Sequence, residues 1–218
     1  MNYIEIKNLI NNHNSDDYLE IIHKIGLAYD ERDLYGDDII YMLKNKDTDG
    51  MWQIPSQINN LLKFLSNKII HNYLDIGTYN GYTHVLIKTI LEKNNKNIET
   101  TTIDPFNFIN NELIETFNVN KITTTSDDPI IKNNNYDLVF IDGNHDYSYV
   151  KNDFYNVGIK SKYCVFHDIN DMYIKEKCEN GGVVTFWDEI KQNYKYLEFT
   201  EHPNNYNIMG IGILIIKE

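Results

Sequence analysis

The sequence predicts an α/β protein, a mostly parallel sheet with helices on both faces and an antiparallel hairpin at its C-terminal end. Three observations carry this. From Asn72 onward, short apolar runs alternate with segments of helical period, the pattern of parallel strands joined by crossover helices. The first five runs end in polar residues, at Asp75-Ile76-Gly77, Asp104, Ser126-Asp127, Asp142 and His167-Asp168. The last two runs, YLEFTE and YNIMGIGILIIKE, follow one another with no long helix between them, which an antiparallel pair permits.

Residues 1–68 read as a helical extension or cap packed on the core, and residues 69–218 as the main domain. In DDYLEIIHKIGLAYD, Leu19, Ile22 and His23 fall on one side, with Gly26 and Leu27 beyond them. Pro55 opens SQINNLLKFLSNKI, where Ile58, Leu61, Leu62 and Leu65 recur at helical spacing. Between them NKDTDGMWQIP reads as a loop, in which Trp52 is either a packing anchor or part of a lid. YLDIG is the first strand and YNGYTHVLIKTILEKN a helix. ETTTIDPF is a strand, NELIETFN a short helix and KITTTS a strand. SDDPIIKNN is a turn or short helix, and YDLVFIDG a strand. YSYVKNDFYNVG is a helix presenting Tyr147, Val150, Phe154 and Val157 on one face. KYCVFHD is a strand and GGVVTFWDEIKQN a helix. There Phe186 and Trp187 either line a pocket or pack on the sheet, and Gly181-Gly182 offers flexibility for entry of a ligand.

The 218 residues suit one domain with a sizeable core. With 42% hydrophobic and 24% charged residues the composition is globular. A net charge of -12 disfavours nucleic-acid backbones and anionic membranes as partners. Two cysteines, Cys164 and Cys178, make no disulfide framework and fit a reducing compartment. The first residues lack a basic segment followed by an apolar core, and no run of 18 apolar residues occurs. A cytoplasmic protein without a membrane span is the expectation.

In open parallel sheets, ligands gather at the carboxyl ends of the strands. Gly77 allows a sharp turn after the first strand, and Gly81 a close pass at the following helix start, whose free N–H groups favour an anion. The Gly-x-x-x-Gly spacing differs from the Gly-x-Gly-x-x-Gly of dinucleotide folds and by itself serves structure as readily as binding. Asp104 sits where an acid accepts both hydroxyls of a ribose, or where a turn precedes Pro105. Asp127 either accepts from an adenine amine or caps the helix at Pro129. Asp142 and Asp168 end neighbouring strands, and two carboxylates facing one pocket call for a proton or a cation such as Mg²⁺ between them. His167 adjoins Asp168. His145 either takes a proton from a substrate hydroxyl or caps the helix near Asp146.

Asp75-x-Gly77-x-x-x-Gly81 followed by Asp104 resembles the class I S-adenosylmethionine-dependent methyltransferases over residues 50–218. The resemblance implies a Rossmann-like, seven-stranded sheet. It places Asp75 and Gly77 beside the methionine portion of the cofactor, Asp104 on the ribose, and Ser126 and Asp127 near the adenine. Tyr79 or Asn80 would meet the cofactor carboxylate. Phe140-Ile141-Asp142-Gly143-Asn144-His145-Asp146-Tyr147, with the later Val165-Phe166-His167-Asp168, resembles the small-molecule and sugar O-methyltransferases of the cephalosporin-hydroxylase-like and macrocin type. Asn144 stands where that group carries a second acid. The likeness implies Asp142, Asp168 and His167 as metal-site residues, and His145 with Asp142 as the catalytic pair. Catechol-type enzymes follow the fifth-strand acid with Asn; here Ile169 follows and Asn170 comes one later.

The implied reaction is direct methyl transfer to a hydroxyl of a small molecule or sugar, with the chain as monomer or homodimer. Two other readings compete, an NAD-dependent oxidoreductase and a nucleotide-binding protein of the same fold without catalysis. Transfer to an amine, without a metal, is a further variant. Tyr147-x-x-x-Lys151 fits a dehydrogenase spacing but adjoins the fourth strand end. His84 reads as a structural or surface residue.

Overall fold

The computed structural model describes residues 1–28, 50–202 and 205–217. The helical reading of residues 29–49, and the start of the loop at 45–55, lie outside the described residues. Seven strands form one sheet: β1 (Asn72–Ile76), β2 (Glu99–Ile103), β3 (Asn120–Ile122), β4 (Leu138–Ile141), β5 (Tyr163–His167), β6 (Lys195–Phe199) and β7 (Ile211–Ile215). Their order is β3-β2-β1-β4-β5-β7-β6. The first five are parallel, and β7 runs antiparallel to both β5 and β6.

The closing pair is antiparallel and lies at one side of the sheet, as its sequence suggests, with β6 at the rim and β7 inside it. β7 inserts between β5 and β6, because Ile211, Ile213 and Leu214 are buried while β6 is exposed over four of its five residues. The apolar strand goes inside and the charged strand takes the rim. β3 is shorter than KITTTS suggests. Pairing stops at Ile122, and residues 123–128 turn toward the ligand cavity.

Helices α1 (Tyr3–Asn12), α2 (Leu19–Ile25), α3 (Pro55–Leu65), α4 (Tyr82–Asn94) and α5 (Asn111–Phe117) share one apolar cluster with Tyr73, Phe140, Val165 and Ile213 on one face of the sheet. On the opposite face α7 (Tyr147–Asn156), α8 (Met172–Lys177) and α9 (Gly182–Ile190) pack on Leu74, Val139, Ile141 and Phe166. The short α6 (Pro129–Lys132) closes that side through Ile131. Alternate residues of each strand thus feed two separate cores, the reason the strand runs are apolar throughout. The N-terminal helices complete one of those cores.

Local chemistry sets several helix starts. Asn2 and Glu5 form a reciprocal capping box at α1. Pro55 stands at the first position of α3, where its missing N–H costs nothing. Asp128, rather than Asp127, accepts the Ile130 N–H at the head of α6. The periodicity does not reveal α8, whose six residues are too few to show it; its signal is Asp171, which caps Tyr173 and Ile174. Phe186 and Trp187 are buried in the core, and the Trp187 indole donates to Glu198 at 2.6 Å.

β1 lies between β2 and β4, so the chain crosses one way after β1 and returns the other way after β3. A crevice opens above the carboxyl ends of β1 and β4, where the crossovers diverge. Among the described residues no helix is long and apolar enough to cross a membrane.

Candidate active site

A cavity of about 920 Å³ occupies this crevice, within the range of small-ligand and cofactor sites. It runs from the ends of β2 and β3 to the ends of β4 and β5. Of the strand-end residues expected there, Asp75, Gly77, Tyr79, Asn80, Asp104, Ser126, Asp127, Asp142, His145, His167 and Asp168 all line it. Gly81 does not; it starts α4 behind the wall, with φ 87°, and a Cβ there would lie 2.5 Å from Ile109.

At one end the loop after β1 sets the wall. Gly77 has φ 92°, and a Cβ on it would lie 2.0 Å from the Asp142 carbonyl oxygen. Its freedom is needed to bring the ends of β1 and β4 together. Asp75 is buried and accepts from the Thr102 hydroxyl at 3.0 Å. His84 Nδ1 lies 3.2 Å from the same carboxylate, and its ring stacks on Tyr73. His84 is therefore structural and fully buried. Asp104 accepts the Tyr79 N–H at 3.0 Å and the Phe106 N–H at 2.8 Å. It fixes its own turn while facing the cavity, so the turn and ligand roles coexist. Asn80 donates to the Gly50 carbonyl at 2.6 Å, tying this loop to the N-terminal part of the chain.

Ser126 donates to Asp153 at 2.5 Å, and Asn156 bridges Ser126 and Asp127 at 3.0 Å each. Asp153, from α7, also lines the cavity. Burial pushes its pKa up to about 6, with Asp127 adding repulsion and the Ser126 hydroxyl opposing both. Sequence order gave no hint of Asp153, which lies mid-helix and reaches the site only through the packing of α7.

At the other end the register of β4 and β5 pairs Ile141 with Phe166, placing Asp142 beside His167. His167 is buried, with Nδ1 3.0 Å from Asp142 Oδ1 and 3.2 Å from Asp168 Oδ1. His145 Nε2 lies 3.0 Å from Asp168 Oδ2 and 3.7 Å from Asp142 Oδ1. The head of α7 is Asp146, and His145 does not cap it. Burial disfavours charge on His145, but Asp168 and Asp142 more than offset this and raise its pKa to about 10. Burial likewise opposes the His167 cation, and the same two carboxylates hold its pKa well above the usual value. Burial alone would raise Asp168; His167 and His145 instead hold its carboxyl far below the usual range. Asp168 has φ 61°, a left-handed conformation that a non-glycine residue adopts at some cost.

Donor atoms of Asp142, His145 and Asp168 all lie within 4.8 Å of one another. Two carboxylates and an imidazole converging this closely match the donor set of a divalent cation. His167 touches both carboxylates as well, sharing Asp142 Oδ1 with His145. Gln53 adds a further contact that no motif predicts, its Nε2 reaching Asp142 Oδ2 at 3.3 Å. Asp171, on the same side, accepts the N–H groups of Tyr173, Ile174 and Met209. Its pKa is raised by burial and then by Asp168.

The loop carrying His145 is braced by Gly182 and Val183. Val183 N–H donates to the His145 carbonyl at 2.9 Å, and a Cβ on Gly182 would lie 2.5 Å from that oxygen. Gly182 thus permits a close approach to the His145 loop. The Tyr147 hydroxyl is bonded to Glu189 at 2.7 Å, and Lys151 lies over the Tyr147 ring; neither residue lines the cavity.

Residues 74–169 match the family model described as "Methyltransferase domain". No curated protein matches the sequence. Among solved structures, an O-methyltransferase from Bacillus cereus in complex with SAH is 15% identical with a TM-score of 0.57, over 90% of this chain and 96% of that one. The O-methyltransferase TomG from Streptomyces achromogenes, involved in tomaymycin synthesis and in complex with SAM, is 13% identical with a TM-score of 0.57, over 98% and 95%. An O-methyltransferase structure from Klebsiella pneumoniae, described there as putative, is 13% identical with a TM-score of 0.53, over 73% and 79%. At these identities the likeness is one of fold.

Proposed function

We propose, from the premise that residues 74–169 form a methyltransferase domain within a class I fold, that the chain transfers a methyl group from S-adenosylmethionine to a hydroxyl oxygen of a small acceptor. The observation that carries this is the single cavity with Asp104, Ser126 and Asp127 at one end and Asp142, His145 and Asp168 at the other. Its volume suits a nucleoside cofactor together with an acceptor.

S-adenosylmethionine supplies, when bound, an electrophilic methyl carbon on a sulfonium, so a covalent enzyme intermediate is not required. In this reading Asp104 holds the ribose, Ser126 and Asp127 face the adenine, and the loop at Asp75, Gly77, Tyr79 and Asn80 surrounds the methionine portion. The protein's contribution is alignment of an acceptor oxygen with that carbon while water is excluded.

The Asp142 and Asp168 carboxylates, which converge with the His145 imidazole within 4.8 Å, would hold a divalent cation such as Mg²⁺. When bound, such a cation polarises the acceptor hydroxyl and supplies the positive charge that His145 otherwise carries. His145, beside the carboxylates and not itself a ligand in this reading, would accept the proton that leaves the acceptor hydroxyl as its oxygen takes the methyl group. His167, pinned by both carboxylates, orients them. Gln53 steadies the outer oxygen of Asp142.

Calorimetric titration with S-adenosylmethionine and with NAD⁺, each with and without Mg²⁺, tests the reading. Binding of the sulfonium cofactor alone supports it. Binding of NAD⁺ in its place overturns it.

A further inference from the structure

Resting on the reading just given, we infer that His84 is a positioning residue for cofactor binding: with Thr102 it holds one oxygen of Asp75 from the buried side, so that the other is presented to the primary ammonium of the methionine portion. The β1–β2 register sets Asp75 directly beside Thr102, whose hydroxyl donates to Asp75 Oδ2 at 3.0 Å. A hydroxyl has one hydrogen, so Thr78, bonded to the same Thr102 oxygen, is the donor of that pair. His84 Nδ1 lies 3.2 Å from Asp75 Oδ2 as well. Thr102 and His84 are both fully buried.

The place of His84 follows from the periods of two elements. Tyr73 and Asp75, two apart on β1, share a face of the sheet, and α4 packs on that face. His84 stands in the first turn of α4, and its ring stacks on Tyr73 with centroids 5.3 Å and planes 14° apart. An apolar side chain would fill this core position at no polar cost, whereas a buried imidazole is expensive unless it serves a polar neighbour. Asp75 is that neighbour. Lys88, one turn further along α4, is bonded to Glu92 instead.

Asp75 is 2% exposed and lines the cavity. Both contacts fall on Oδ2, and among the described residues no hydrogen bond reaches Oδ1. A carboxylate withdrawn from water calls for partners on both oxygens. No lysine or arginine is among the described residues that line the cavity. A ligand ammonium supplies both the opposite charge and the N–H donors. The terminal torsion of an aspartate is broad when nothing holds it. Two contacts on one oxygen fix it, so the ordering cost is not met again when the cofactor binds.

The test measures binding of two ligands by calorimetry, S-adenosylhomocysteine and 5′-methylthioadenosine. Both carry the same nucleoside and a neutral sulfur, but the second has no amino-acid portion. In His84→Leu the affinity for the first should fall about tenfold and that for the second stay within about twofold. His84→Asn, whose amide reaches the place of Nδ1, should restore the parent ratio. Thr102→Val should reproduce the loss while leaving the His84 site intact. An equal loss for both ligands would make His84 a packing residue only and overturns the inference, as does no loss in His84→Leu and Thr102→Val. If His84→Leu does not fold, Thr102→Val and His84→Asn decide by the same ratio. Failure of the unaltered protein to bind S-adenosylmethionine removes the proposed function itself, which the parent titration reads before any variant is made.

Discussion

His145 Nε2 lies 3.0 Å from Asp168 Oδ2, although the two residues come from different strand ends. With Asp142 also near, the imidazole pKa rises to about 10, so in the cation-free protein His145 is protonated at neutral pH. A divalent cation placed on the same pair of carboxylates would therefore compete with the histidine proton.

The first prediction concerns that proton. Mg²⁺ binding at pH 8 should release about one proton, read as a dependence of the calorimetric enthalpy on buffer ionisation enthalpy. In His145→Gln the release should vanish. Unchanged release in that variant would place the proton elsewhere.

Stability should follow the same group. A histidine whose folded pKa exceeds its ordinary 6.5 contributes stability that is complete below 6.5 and lost as pH rises toward about 10. The Tm of the chelator-treated protein should therefore fall between pH 7 and 10 more steeply than that of His145→Gln. The imidazole is 36% exposed, so the slope is modest. Parallel curves would show that the ion pair adds nothing.

Asp153 runs the opposite way. Its folded pKa, near 6 against an ordinary 3.8, means that folding favours the neutral acid, and stability is lost as pH rises from 3.8 to about 6. Asp153→Asn should raise Tm by several degrees at pH 8 and leave it unchanged at pH 3.5. A loss of Tm at pH 8 would show that the ionised carboxylate is the favoured form.

Asp168→Asn should lower turnover about a hundredfold or more and abolish its response to Mg²⁺, with S-adenosylmethionine affinity within about threefold of the parent. The separation matters, because Asp168 lies at the β4–β5 end of the cavity, away from Asp104 and Ser126. Turnover that resists both this change and chelation would remove the metal from the reaction.

Gly77→Ala should cost about 3 kcal/mol or more in urea unfolding, since it combines a positive φ with a Cβ placed 2.0 Å from the Asp142 carbonyl. A near-neutral result would show that the ends of β1 and β4 can move apart.

The sequence by itself determined the fold class and the strand ends that bear polar residues. Apolar runs such as YLDIG and LVFI can be buried on both faces only in a covered sheet, and ligands collect where such strands end. Asp75, Asp104, Asp142, His145 and Asp168 were legible for that reason. Tertiary structure alone decided which atoms converge. The β4–β5 register put His167 beside Asp142, so that both His167 and His145 meet the two carboxylates. Burial decided that β7 lies inside and β6 at the rim, an order the sequence left open. Gln53 and Asp153 were invisible beforehand because each reaches the cavity across a packing interface, from 89 positions before Asp142 and from mid-helix respectively. Local periodicity records which face of an element is buried; it carries no record of which distant element will cover that face.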